Sequence, residues 1–411
     1  MPVPMTERIA GRVSLDREER PSTACENCAQ PGVVSFYRVK GIPAHSVLLM
    51  ESEEQAKGYP RRDLDLAFCP SCGFVGNVAY DPGVHEYSTK YEETQGFSPT
   101  FSGFAADLAR RVVEEYGLQG KSVLEIGCGK GEFLVQLLEA GAGSGIGIDP
   151  AYRHDRLDTP LLEKLEFHQE LYTEKHTHLK ADMVCCRHTL EHIHPTLEFM
   201  KMVRSAIGDQ DSVVFFEVPD IVRELRDGAF WDMYYEHTSY FAPGSLSRVF
   251  RLAGFDVERA WLEYADQYLM LIAKPADGPT EARLPEEDDL EELDRLCRGF
   301  ESKCGEVMSR WSGYLGDAHA AGRKVVLWGA GSKAVSFLTT MGITDEVAAA
   351  VDINPFKHGK YLPGSGHRCC SPEELAEIRP DAVIVMNPVY VKEITDQLAG
   401  MGLHPEVLAL D

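Results

Sequence analysis

Three groups of residues in this chain have the types and spacing that do chemistry. The first is VLEIGCGKGEF at 123–133, where Gly127, Gly129 and Gly131 follow a strand-like apolar run and open a helical one. Glycine there lets the backbone turn sharply and approach a ligand closely. Asp149 ends the next apolar run, 22 residues after Gly127, where a carboxylate can accept hydrogen bonds from ribose hydroxyls. The second group is the pair of motifs Cys25-Glu-Asn-Cys28 and Cys69-Pro-Ser-Cys72. Each chelates through one tight turn, and together they supply four thiolates for a tetrahedral Zn2+. Four protein ligands leave no open position, so such a metal is structural; four free thiols are the other reading. The third group is histidine-centred: His188-Thr-Leu-Glu191-His192 and Tyr234-Tyr-Glu236-His237.

The glycine spacing narrows the ligand. Dinucleotide sites want G-x-G-x-x-G or A, whereas here the third glycine comes one residue early and Glu132 takes its place. A nicotinamide site and a turn without any ligand are the remaining alternatives at this loop. The string H-x-x-E-H also occurs in inverted zinc proteases. That chemistry needs both imidazoles on one face of a full helix, yet ADMVCC precedes the string as a strand and His194-Pro195 follows it. His192 is therefore either a packed imidazole or a pocket residue at the C-terminal edge of a strand, where open α/β sheets bind ligands. A second loop, Val326-Leu-Trp328-Gly329-Ala-Gly331-Ser-Lys333-Ala334, does satisfy G-x-G-x-x-A, with Asp352 23 residues after Gly329. It suggests an NAD-dependent sugar oxidoreductase as a rival from another class. Otherwise the loop holds a diphosphate near Lys333, or only packs.

The elements that must position these groups follow from periodicity. Between about 100 and 275, apolar runs SVLEIGCG, SGIGIDP, ADMVCC and SVVFFEVP alternate with helical segments such as GEFLVQLLEAG. That alternation implies a mostly parallel sheet covered on both faces. DVERAWLEY and YLMLIAKP, three residues apart, suggest an edge hairpin. A second alternation from 323 suits a small doubly wound domain. The expected organisation is a polar tail at 1–22, a zinc-binding domain at 23–85, a cofactor domain at 86–278, an acidic linker and helix at 279–320, and a C-terminal α/β domain at 321–411.

Bulk properties exclude some classes. A net charge of -24 argues against a duplex nucleic-acid partner. No apolar run reaches the ~18 residues of a membrane span, and the N-terminus lacks an apolar signal core, so the expected location is cytoplasmic. With 11 cysteines and no export signal, a disulfide framework is not expected.

E-x-G-x-G-x-G with Asp149 resembles motif I and the ribose-binding acid of class I methyltransferases, which implies S-adenosylmethionine and a seven-stranded Rossmann-like sheet. Beyond that fold, HEYSTKYEETQ at 85–95, MYYEHTSYFAPGSL at 233–246, and GAGSKA, VDINPFKHGKYLPG and VMNPVY resemble the zinc-containing C-methyltransferases of deoxysugar biosynthesis. The resemblance covers roughly 23–411. It implies methylation beside the keto group of a dTDP-linked 4-keto sugar, with His237 as base, Glu236 orienting it or bonding a hydroxyl, and Tyr234 donating to the enolate oxygen. Tyr91 and His192 complete that pocket. Glu125, Gly127, Gly129, Gly131, Asp149 and His188 fall to the cofactor; Lys333, Tyr91, Asn387 and Tyr390 fall to the substrate. The partner implied is a small nucleotide sugar, and the assembly a monomer or homodimer. O- or N-methylation of a related sugar shares the architecture, and a non-catalytic adaptor built on the zinc domain is the third class.

Overall fold

The computed structural model describes residues 4–84, 90–282 and 284–411. Its N-terminal sheet has β1 (Val13–Ser14), β2 (Glu18–Ala24), β3 (Pro31–Pro43), β4 (Arg61–Phe68) and β5 (Val75–Asn77). The central sheet has β6 (Ser122–Ile126), β7 (Ser144–Ile148), β8 (Leu165–His168), β9 (Met183–Arg187) and β10 (Val213–Pro219). The chain then returns to the first sheet with β11 (Ser239–Tyr240), which pairs antiparallel with β5. The edge hairpin β12 (Phe255–Glu263) and β13 (Tyr268–Pro275) completes the central sheet. The C-terminal domain contains β14 (Val325–Trp328), β15 (Ala349–Val351), β16 (Cys369–Cys370), β17 (Ala382–Val385) and β18 (Glu406–Ala409).

The central strand order is β12-β13-β10-β9-β6-β7-β8. All neighbours are parallel except β13, which runs against β10 and β12. This is the seven-stranded class I methyltransferase sheet expected from the sequence. Its strands read as unbroken apolar runs because both faces are covered. Val123, Met183 and Phe215 pack under helices Pro99–Glu115 and Glu132–Glu139. Leu124, Val184 and Phe216 pack under Thr196–Ile207 and Pro243–Leu252. The hairpin turns through Tyr264, Ala265 and Asp266, all at positive φ.

The C-terminal sheet, order β16-β15-β14-β17-β18, is wholly parallel. The long helix Leu290–Ala320 joins the two α/β units. One stripe of it is buried, and Phe300 meets Phe36 and Tyr37 of the N-terminal sheet edge-on.

Residues 5–24 are not a loose polar tail. Met5–Ala10 is a helix, and β1 and β2 extend the first sheet. Polar composition hides the anchoring, which combines a few scattered apolar groups with arginines: Met5 is buried in the core with Ile9, Val13 and Leu15 against it, Arg8 donates to Gly342 O and pairs with Glu346, and Arg12 donates to Thr339 O. The N-terminal sheet also reaches beyond residue 85 by taking in β11.

Candidate active site

The two α/β units face each other across a cleft of about 860 Å³. Gly127 and Gly129 line one wall, and Gly131 follows just behind them; all three have positive φ. A Cβ on Gly127 would lie 2.6 Å from Thr189 Cβ and closer still to its Oγ1 and Cγ2. One on Gly131 would lie 2.7 Å from the Phe167 ring. Only glycine fits at these two positions, where Thr189 and Phe167 pack directly on the bare backbone. Asp149 locks the glycine turn, accepting from Gly129 N at 2.8 Å and Ala151 N at 2.6 Å. Glu125 lies fully buried beneath, with Oε2 unpartnered, and burial pushes its carboxyl up to about 8. These features fit a ligand with ribose hydroxyls and a positive centre.

The facing loop repeats the design. Gly127 N donates to Ile148 O, and Gly329 N to Val351 O. Asp352 accepts from Ala330 N and Asn354 N, as Asp149 does from Gly129 N and Ala151 N. The difference is Lys357, which is buried and pairs with Asp352 at 2.9 Å. The five parallel strands suit the small doubly wound domain expected here. A carboxylate already neutralised by Lys357 is a poor acceptor for ribose, which weakens the NAD reading.

His188, at φ +48, lines the cleft between Glu217 and Glu191. Burial opposes its charge, but these carboxylates prevail and raise its pKa to about 9. Glu217 also pairs with Arg187 at 2.5 Å and is held down at about 2 by Arg187 and His188, against its burial. The H-x-x-E-H segment is a strand end followed by a short 3-10 turn, Leu190–His192, not a helix.

His237 lies in the middle of the cleft lining. Its ring meets His192 edge-on at 4.6 Å and Tyr234 edge-on at 4.7 Å. It is buried, Nδ1 has no partner, and burial lowers its pKa to about 3 despite Asp232. The imidazole is therefore neutral at physiological pH. Tyr234 donates to Asp232 Oδ1 at 3.1 Å, and Lys333 Nζ, reaching across from the C-terminal domain, binds the same oxygen. Arg223 holds the other oxygen at 2.5 Å. Tyr91 lines the wall, and its carbonyl accepts from the buried Lys130, which also pairs with Glu93.

Some expected roles change. Glu236 does not orient His237: its carboxylate accepts from the backbone N–H and hydroxyl of Ser46, whereas Tyr234 and His237, on either side of the turn at 235–236, line the cleft. Lys333 lines the cleft as expected of a substrate residue, and there it pairs with Asp232. Asn387 exchanges two 3.0 Å amide hydrogen bonds with Gln267, and Tyr390 donates to Gln95 at 3.0 Å. Both fasten the two domains at the cleft. Residues 85–89, the start of one quoted motif, lie outside the described residues. The sequence reading missed Asp232, Arg223, Glu93, Lys130, Glu217 and Lys357. Asp232 and Lys357 adjoin or lie within quoted motifs, so closeness to them was the available signal.

The four cysteines converge as expected. Their sulfurs all lie within 4.8 Å of one another, with Cys25–Cys72 and Cys28–Cys69 each 3.7 Å apart. Thiolates about 2.3 Å from a tetrahedral Zn2+ stand about 3.8 Å from each other, so the cluster fits that ion.

Among known families, the one described as "Methyltransferase domain" matches residues 101–260, the stretch that contains the glycine cradle and Asp149. This chain is an S-adenosylmethionine-dependent methyltransferase. A second family, "C-methyltransferase C-terminal domain", matches 279–403 of the enzyme. C-methyltransferase NovU of Streptomyces niveus is 28% identical to it over 397 residues, 92% of each chain. Among solved structures, magnesium protoporphyrin IX methyltransferase of Synechocystis PCC 6803 is 18% identical, covering 43% of this chain and 84% of its own, with a TM-score of 0.32. An S-adenosylmethionine-dependent methyltransferase of Mesorhizobium loti is 15% identical, covering 41% and 99%, also with a TM-score of 0.32. No helix among the described residues is long and apolar enough to cross a membrane.

Proposed function

We propose that the enzyme methylates a carbon next to the keto group of a nucleotide-linked sugar, a dTDP-4-keto-deoxysugar, through an enolate. One observation carries this reading: a buried neutral imidazole, His237, stands beside a point where two donors, Tyr234 and Lys333, converge on a single oxygen. Asp232 Oδ1 occupies the position that suits an enolate oxygen. The similarity to a named C-methyltransferase over nearly the whole chain supports it.

His237 accepts the α-proton; the C–H pair becomes the C=C bond, and the carbonyl π pair moves onto oxygen. Tyr234 and Lys333 donate to that oxygen as its charge develops, where desolvated donors act most strongly. Asp232, released from Lys333, retains Arg223. Glu125, the glycine cradle and Asp149 would hold S-adenosylmethionine, which supplies an electrophilic methyl on a sulfonium. The C-terminal loop with Lys357 and the helix beginning at Ser332 forms the wall that suits the nucleotide, in place of the phosphate role expected of Lys333. The four-cysteine cluster holds a structural Zn2+.

Carbon methylation predicts an exchange that oxygen or nitrogen methylation lacks. With the demethylated cofactor product bound, the enzyme should exchange the α-hydrogen of a 4-keto sugar nucleotide with deuterium oxide. With S-adenosylmethionine it should add 14 Da. His237→Asn should slow both by about 100-fold and leave cofactor binding intact. A mass gain without any deuterium uptake would point to the O- or N-methyltransferase reading.

A further inference from the structure

A second set of metal-type donors lies in the cleft, apart from the four sulfurs. Glu191, His192 and His237 each offer one ligand atom, and these atoms all lie within 4.8 Å of one another. The chain holds them there. Thr238 N donates to Glu191 O at 2.8 Å, joining the 3-10 turn to the segment that bears His237. His192 Nδ1 lies 3.2 Å from Glu236 O. A carbonyl only accepts, so in the neutral ring Nδ1 carries the proton and Nε2 the lone pair. Glu191 Oε2 and His237 Nδ1 are buried without a partner, an arrangement that costs free energy unless something fills it. Carboxylates outnumber Lys and Arg in the cleft lining among the described residues, ten to five, although burial pushes Glu93 up to about 7 and Glu125 to about 8.

We propose that Glu191, His192 and His237 form a binding site for a divalent transition-metal ion of the zinc, cobalt or nickel kind. Two imidazoles and one carboxylate suit these ions, whereas Mg2+ and Ca2+ prefer all-oxygen sets. Ligand atoms around a tetrahedral centre stand roughly 3.4 Å apart, so atoms that all lie within 4.8 Å of one another reach that spacing by small side-chain adjustments. Three protein ligands leave one position open to the cleft. The site itself stands on geometry. Its consequence rests on the reading of His237 as base: a bound ion takes the lone pair that would accept the proton, so it inhibits methyl transfer.

The experiment uses tag-free, as-purified enzyme whose metal content is fixed by elemental analysis, titrated with Co2+. Uptake of one further ion per chain is expected, with visible d–d absorption and without the intense thiolate-to-cobalt band of a cysteine site. Glu191→Gln and His192→Ala, checked by thermal melting to be folded, should each weaken this uptake at least tenfold. Uptake unchanged in both variants, or no d–d signal at saturating Co2+, overturns the site. Deuterium exchange is then measured with Co2+ bound. Suppressed exchange supports the inhibitory consequence; undiminished exchange with Co2+ in place upholds the site and overturns His237 as base.

Discussion

Replacing Gly127 by alanine tests the cofactor cradle most directly. Two costs add. The backbone holds φ +73, a conformation that costs an L-residue about 1–2 kcal/mol. The new Cβ would sit 2.6 Å from Thr189 Cβ, and such overpacking typically costs about 1–3 kcal/mol. Gly127→Ala should therefore lose roughly 2–5 kcal/mol of stability in urea denaturation. It should also bind the demethylated cofactor product more weakly by calorimetry. The two costs can be separated. Thr189→Gly alone removes hydroxyl bonds to Arg187 O and Gly127 O and should cost about 1–2 kcal/mol. In the double variant the clash is gone and only the φ strain of the alanine remains. The cycle should show a favourable coupling of about 1–3 kcal/mol. Effects that add to within about 0.5 kcal/mol would mean that Thr189 does not press on the glycine turn, and the account of the cradle would fail.

Other expectations follow from the same geometry. Lys333→Met should lower kcat by about 100-fold or more with less change in KM; an effect confined to KM would return Lys333 to a phosphate-binding role. Zinc removal by a chelator, or Cys69→Ser, should lower the melting temperature strongly, because structural zinc binding is coupled to folding; an unchanged melt would mean four free thiols. The His188 and Glu217 interactions predict opposite pH limits. His188, raised to about 9, contributes fully below its ordinary value near 6.5 and loses that contribution as pH climbs through 9. Glu217, lowered to about 2, contributes fully above its ordinary value near 4.5 and loses that contribution as pH falls through 2. The stability gap between wild type and His188→Asn should therefore be widest near pH 6, at up to about 3 kcal/mol, and shrink toward pH 9. A gap that widens with alkalinity would refute the pairing.

The central fold was legible because its signals are local. A glycine turn, an acid at the end of the next strand and alternating apolar runs are read within a few tens of residues, and the structure places Gly127, Gly129, Gly131 and Asp149 together. The cysteine pairs were legible too, since the set of donors needs no long-range knowledge to be recognised. What escaped the sequence lies between domains. Lys333 looked like a phosphate ligand because it follows a glycine loop, but only the packing of two domains brings it to Asp232. Asn387 and Tyr390 line the cleft where their motif suggests a substrate role, but their bonds to Gln267 and Gln95, 120 and 295 residues away along the chain, are visible only once the domains pack. Glu236 sits one residue from His237 yet is carried by the turn at 235–236 to Ser46, which a motif string hides. The anchoring of residues 5–24 is hard to read because its apolar contacts are few and widely spaced among charged residues.

The return of the chain at β11 has a consequence for how the protein emerges from a ribosome. The outer edge of β5 stays bare until Ser239 and Tyr240 arrive to pair with Gly76 and Val75. The helix Met5–Ala10 waits longer, for partners at Gly342 and Glu346. The first sheet to be synthesised is thus among the last to be finished. During that interval its backbone groups lie open to other chains, and early capture of a metal by the four cysteines, which all precede β5, would hold the half-built sheet together meanwhile.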